Sequence, residues 1–194
     1  MEKFFIQDLT TPRLQLRKLQ MDDLPQYYHI ASSQAVTKYM LWNPHTSMEE
    51  SIASIQKVLK GYENGTCCRW GIVLNGSNTL IGIIDLLPWD SENGIFSFAY
   101  MLCEDFWNQG YGTEALTAVI HFAFLQCGAA QIQADHFTAN PASGAVMRKA
   151  GMEYCQMLPG KYEKNGVVHN AHWYRITREQ WLRIHPGFSL YNNS

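Results

Sequence analysis

The sequence predicts one α+β domain: a mixed, mostly antiparallel twisted sheet of about six or seven strands flanked by helices. Three observations lead there. Short apolar blocks bounded by turn residues fill the stretch from Arg69 to Leu102 and return after Met152, which is the spacing of strands. Between them a glycine turn opens onto a long helical pattern, so strand, turn and helix follow one another in mid-chain. No repeat, low-complexity segment or linker divides the 194 residues, which predicts a single domain over 1–194 with a core from about residue 11 to 182.

Taken in order, Arg13-Leu14-Gln15-Leu16-Arg17-Lys18-Leu19 alternates apolar and polar side chains, the period of a half-buried strand. Asp22 is placed as the cap of a helix running to about Ala31. Asn43-Pro44-His45-Thr46 breaks the chain, and Ser47 with Glu50 reads as a capping box. The helix it opens carries Ile52, Ile55, Val58 and Leu59 on one face and ends at Gly61 or Gly65. Residues 68–74 and 80–86 form a hairpin across Asn75-Gly76-Ser77-Asn78, and residues 95–102 add a third antiparallel strand after a loop from Pro88 to Gly94. Asn108-Gln109-Gly110-Tyr111-Gly112-Thr113 then leads into a helix with Ala115, Leu116, Val119, Ile120, Ala123 and Phe124 on one side. Residues 130–137 read as a strand, 143–150 as a short helix, two further strands flank Lys164-Asn165-Gly166, and 178–184 closes the chain as a helix.

Composition narrows the function. Hydrophobic residues make up 46 %, charged residues 16 % and aromatics 13 %, so a packed globular domain is expected rather than a disordered one. The net charge of -2, with no run of Lys or Arg, supplies no footprint for a phosphate backbone, and nucleic acid is not the expected ligand. Met1-Glu2-Lys3-Phe4-Phe5-Ile6-Gln7-Asp8 lacks the apolar core of a signal sequence and no stretch has the length of a membrane span, so a cytoplasmic location away from membranes is the expectation. The five cysteines (Cys67, Cys68, Cys103, Cys127, Cys155) are scattered apart from one adjacent pair and read as reduced apolar fillers. No pair of the seven histidines has zinc-type spacing beside a third ligand, so no metal is expected.

The glycine turn carries the first chemical signal. At the start of a helix several N–H groups lack intrahelical partners and the helix dipole favours negative charge, which suits a pyrophosphate. Gly110 and Gly112 let the backbone approach phosphate oxygens, and Thr113 adds a hydroxyl. The missing Gly-Lys-Ser/Thr excludes a Walker-type loop, and the dinucleotide fingerprint fails for want of a third glycine and a spaced acid.

The second segment is Asn140-Pro141-Ala142-Ser143-Gly144-Ala145-Val146-Met147-Arg148-Lys149-Ala150-Gly151-Met152. With the first it resembles the GNAT superfamily of acyl-CoA N-acyltransferases, in which a Gly-x-Gly/Ala turn binds the pyrophosphate and an Asn-x-x-Ser helix ending in Gly-Phe/Met flanks the pantetheine arm. Thr11-Pro12-Arg13-Leu14, Phe106-Trp107, Thr113-Glu114-Ala115 and Trp173-Tyr174-Arg175-Ile176 are most similar to its RimJ/RimL branch, which acetylates ribosomal-protein N-termini. The resemblance implies a GNAT-like sheet with a V-shaped splay between the strand ending at Leu102 and the strand ending near His136. Acetyl-CoA would lie in it, paired with the main chain of Met101 and Leu102 and contacted by Gln109, Gly110, Tyr111, Gly112, Thr113, Asn140, Ser143 and Lys149. It implies a single N-acetyltransferase domain, an amine acceptor (a protein N-terminus or a small molecule) and, as in many similar proteins, a possible homodimer.

Acetyl transfer from a thioester to an amine needs a neutral amine, a stabilised oxyanion and a proton for the departing thiolate. Ser143 is the candidate donor, because the tyrosine that many relatives carry one turn further along is Met147 here. The base is open: the glutamate that many relatives carry two residues before an Ala-Tyr pair appears as Ser97, leaving Asp85 and His136 as substitutes and Glu92 behind them. Tyr39, Trp42, Trp89, Tyr100 and Trp107 are candidates for walling an acceptor site or for core packing. Two functions follow: an acetyl-CoA-dependent N-acetyltransferase working by direct attack in a ternary complex, or a non-catalytic acyl-CoA-binding or sensor protein of the same fold.

Overall fold

The computed structural model describes residues 6–187. Met1–Phe5, part of the stretch read above for a leader, and the residues after Gly187 lie outside the described residues, as do the two ends of the predicted domain. The chain runs β1 (Leu9–Thr10), β2 (Leu14–Arg17), α1 (Leu24–Ser32), α2 (Gln34–Thr37), α3 (Met48–Asn64), β3 (Arg69–Leu74), β4 (Leu80–Asp90) and β5 (Ile95–Leu102). It continues through α4 (Tyr111–Leu125), β6 (Gln131–Phe137), α5 (Pro141–Lys149), β7 (Glu153–Lys164), β8 (Val167–Thr177) and α6 (Arg178–Ile184).

Eight strands form one sheet in the order β1-β2-β3-β4-β5-β6-β8-β7. The strand beyond the predicted number is β1, two residues paired with β2 through Leu9↔Leu16 and Thr10↔Gln15, too short to leave a periodic signal. All neighbours are antiparallel except β5 and β6, which run parallel and pair only over Ile95↔Gln131, Phe96↔Ile132 and Ser97↔Gln133. Past that vertex β5 continues to Leu102 and β6 to Phe137 with no pairing between them. A V-shaped gap therefore opens at the middle of the sheet, as the resemblance implied.

Each face of the sheet has its own core. Phe96, Phe98 and Leu102 of β5 join Leu116, Val119, Ile120 and Phe124 of α4, Ile132 and Ala134 of β6, and Trp181 of α6. Met101 and Ile83 instead pack with Ile30 of α1 and Ile55 and Val58 of α3. The alternation of a strand decides this: even-numbered residues of β5 face α4 and odd-numbered ones the opposite side of the sheet, where Met101 meets α1 and α3. Burying side chains such as Trp70 and Trp181 completely contributes on the order of 2 kcal/mol each.

Local corrections follow from side-chain partners. Asp22 is exposed and caps nothing; Asp23 makes the reciprocal cap with Gln20, drawn inward by a two-pronged ion pair with the buried Arg17 at 2.7 and 2.9 Å. The capping box expected of Ser47 and Glu50 is shifted by one residue: Glu50 accepts from Thr46 N–H at 2.8 Å and from its hydroxyl, while Ser47 at the N-cap accepts no helix N–H. That helix ends at Gly65, in the left-handed conformation with φ 69°. The loop predicted from Pro88 is instead the end of β4. Leu86 N–H makes a bond to Cys68 O, one residue before β3 begins, so Pro88 has no β3 neighbour to which its missing N–H would matter.

Candidate active site

The glycine turn stands at the entrance of α4, with Gly110 as N-cap at φ 85°, a conformation that disfavours a side chain. No side chain caps this terminus, so its first N–H groups and the dipole are directed outward. Arg13, at the start of β2, holds the turn: its Nη1 donates to Gln109 O at 2.9 Å, its Nε pairs with Glu114 at 2.6 Å, and its guanidinium lies 4.3 Å from the Tyr111 ring centre. A Cβ on the buried Gly112 would touch Tyr100 and Val146 at 3.6 Å, so the turn leans directly on the gap. Gln109 is exposed and donates to Asp105 O at 2.7 Å, while Thr113 is half-buried in the first helical turn.

One wall of the gap is the free edge of β5. Met101 and Leu102 are buried there, and the Leu102 carbonyl already accepts from Trp107 Nε1 at 2.7 Å. Trp107 thus closes the far end of the edge, leaving the main chain nearer the vertex for an extended ligand. The other wall is α5 above β6. Asn140 caps α5 through Oδ1, which accepts from Ser143 N–H at 3.4 Å, so its amide group keeps its donors available. Ser143 is buried, Met147 lies in the core, and Lys149 is exposed on the last turn.

The structure brings a tyrosine to Ser143 that the sequence placed only among possible wall residues. The Tyr100 hydroxyl, reaching across from β5, donates to Ser143 Oγ at 3.4 Å, long for a hydroxyl pair. Burial pushes the Tyr100 phenol up, with the bond to Ser143 acting against it, so the hydroxyl stays protonated at neutral pH.

The two substitute bases lie elsewhere. Asp85 is gripped by Arg69 from the neighbouring strand, Nε to Oδ1 at 2.5 Å and Nη2 to Oδ2 at 2.8 Å, and lines a separate small cavity beside Cys67 and Cys68. His136 faces α5: its Nδ1–H donates to Phe137 O at 2.8 Å, and its Nε2, with no partner, lies where a Cβ on Gly144 would come within 2.5 Å. Burial holds this imidazole below its usual pKa, against the Phe137 bond, so it is neutral. Glu92 is exposed in the β4–β5 turn.

On the side of the sheet away from α4, a cavity of about 220 Å³ extends from the vertex of the V. It is lined by Ser97 and Gln133, the vertex pair, with Asp135, Trp89, Lys161 and Trp173 among its walls. Tyr162 of β7 donates its hydroxyl to Asp135 Oδ1 and stacks on Phe137, which in turn meets Tyr39. The β7–β8 hairpin that brings Tyr162 is stapled to the loop after α2: Lys164 Nζ donates to Thr37 O at 2.7 Å and Met40 O at 2.8 Å. Neither Asp135 nor Tyr162 has a signal in spacing, since their meeting depends on the pairing of β6, β8 and β7. His29 of α1 likewise meets Cys103 and Asp105 of the turn after β5 only through the fold, their ligand atoms lying within 4.8 Å of one another.

Among the described residues no helix is long and apolar enough to cross a membrane. Residues 13–153 match the Acetyltransferase (GNAT) domain family. The chain is 27 % identical over 170 residues to the uncharacterized N-acetyltransferase YoaA of Bacillus subtilis, covering 88 % of this chain and 96 % of that protein. Its fold is similar to that of a GNAT-family acetyltransferase from Bacillus anthracis (TM-score 0.81, 22 % identity, 89 % of this chain and 99 % of the other). It is also similar to that of a putative ribosomal-protein-serine acetyltransferase from Vibrio cholerae (TM-score 0.77, 23 % identity, 91 % and 99 %). The matched residues span the parallel split, the glycine turn and the Asn140 helix, and the chain belongs to the GNAT acetyltransferase family.

Proposed function

We propose that this acyltransferase is an acetyl-CoA-dependent N-acetyltransferase that passes the acetyl group directly to a primary amine, a protein N-terminus or a small amine, within a ternary complex. One observation carries this: the gap beyond Ser97 and Gln133 has an uncapped helix N-terminus at one end and a hydroxyl pair, Tyr100 and Ser143, within it. The N–H groups of the Gly110 turn would hold the pyrophosphate, and the free edge of β5 would pair with the pantetheine amides. Asn140 would donate its amide N–H to the same arm. Tyr100 and Ser143 would pass a proton to the departing thiolate, a step for which a protonated, half-buried phenol is suited. The fold relatives include a protein named as a ribosomal L7/L12 alpha-N-protein acetyltransferase, which supports an N-terminal amine as acceptor.

The test is a thermal-denaturation series with acetyl-CoA and with free CoA, followed by thiol release on adding peptides with free N-termini and small amines. Stabilisation by both ligands with thiol release is expected. Stabilisation without release from any amine would support the sensor reading, and no stabilisation would overturn both.

A further inference from the structure

Asp135 is the second residue of β6 beyond Gln133, the last one paired with β5, so it shares a face with Ser97 and Gln133 and lines the cavity with them. Tyr162 occupies its Oδ1, and its Oδ2 accepts no hydrogen bond among the described residues. Tyr100 and Ser143 lie on the opposite face, under α4 and α5. The gap separates a carboxylate on one side of the sheet from a protonated hydroxyl pair on the other. Asp85 cannot take that place because Arg69 engages both its oxygens, and His136 points beneath α5.

We infer that Asp135 is the general base that deprotonates the acceptor amine, and that Tyr162 positions it. The inference rests on the N-acetyltransferase reading. The acceptor nitrogen approaches from the Asp135 face and bonds to the acetyl carbon as the carbonyl π electrons move to oxygen. Asp135 takes the proton from that nitrogen. The oxyanion's pair then re-forms the carbonyl as the C–S bond breaks, the electron pair of that bond leaves on sulfur, and the thiolate takes a proton from Tyr100 and Ser143. The proton on Asp135 returns through solvent to that pair, so the products are amide and thiol and nothing is oxidised or reduced. Of the groups facing the carboxylate, Lys161 and Tyr162 come from β7, Trp173 from β8, Trp89 from β4 and Ser97 from β5. Lys161 is the charged one among them, so the walls offer one carboxylate and one ammonium between aromatic rings, which fits an acceptor with a single amine.

The experiment measures thiol release from acetyl-CoA by the full chain with hydroxylamine, hydrazine, glycinamide and benzylamine, probes running from the weakly basic hydroxylamine through two intermediate amines to the more basic benzylamine. Asp135→Asn is expected to keep the stabilisation by acetyl-CoA and to lose about 100-fold in kcat/KM with benzylamine, the deficit shrinking toward hydroxylamine, which needs a base least. Asp135→Glu should recover part of the rate, and Tyr162→Phe should lower kcat at unchanged KM for acetyl-CoA. Wild-type rates in Asp135→Asn, a deficit equal for all four amines, or loss of acetyl-CoA stabilisation in that variant would overturn the inference while leaving the enzyme reading intact. No thiol release from the wild-type chain with any amine would overturn both.

Discussion

Asp85 and Asp135 are aspartates on central strands of one sheet face, on either side of β5, and their partners make them different residues. Asp85 meets a guanidinium that engages both oxygens, and Tyr62 donates to the carbonyl of the same arginine, so the carboxylate belongs to a closed structural network. Asp135 accepts a hydrogen bond from a phenol on one oxygen and leaves the other facing a cavity whose wall includes Lys161. The residue type is the same, but Asp85 is buried and Asp135 half-buried, and the bonded partner and the count of free lone pairs differ as well. A carboxylate available for proton transfer is one that keeps an oxygen free of a bonded partner.

The comparison breaks most easily at Asp85. Asp85→Ala leaves Arg69 without its counter-charge and should lower stability by about 3 kcal/mol in urea unfolding, whereas Asp135→Asn should change it by less than about 1 kcal/mol. Equal losses would mean that both acids are structural. A second contrast lies across the sheet: Tyr100→Phe should reduce kcat by about tenfold or more with little change in unfolding midpoint, read from thiol release at saturating acetyl-CoA. An unchanged kcat would remove Tyr100 from the proton path.

Lys164 sharpens the comparison, because it fixes the hairpin that carries Tyr162. Lys164→Met deletes donors to the Thr37 and Met40 carbonyls and should raise the acceptor KM several-fold, at about 1 kcal/mol in stability, while the KM for acetyl-CoA stays constant. A parallel rise in both KM values would show a general loosening instead. The smallest effect concerns pH. Burial depresses the His136 imidazole, so the unfolded chain binds more protons than the folded one as the solution becomes acidic. Its contribution is complete above about pH 6.5 and is lost as pH falls through the lower folded value. His136→Gln should flatten that part of a stability–pH curve; an unchanged slope would assign it to other groups such as His121, which burial also depresses.

Much of the frame was legible along the chain because its determinants are local. The final helix from 178 to 184, opened by Thr177 and Gln180 in a reciprocal cap, and the turn at Asn165-Gly166 with positive φ at both residues, are set by side chains within a few positions of one another. The Ser47 box slipped because Thr46 offers Glu50 a second donor at neighbouring spacing, and Asp22 lost its place to Asp23 because Arg17 reaches only the latter. The site divides in the same way. Gly110 and Asn140 announce themselves through motif and spacing, but Asp135 and Tyr162 are 27 positions apart and become neighbours only when β7 folds back along β8.

The sequence by itself determined the fold class, the order of elements, the glycine turn and the capped helix beside it, since periodicity, glycine geometry and capping act over one or two turns of chain. The tertiary structure alone decided at which residues β5 and β6 part, which tyrosine meets Ser143, and which aspartate keeps a free oxygen. Those depend on strand register and on distant partners: a carboxylate is neutralised or left available by what another strand brings within about 3 Å, and no local pattern records that.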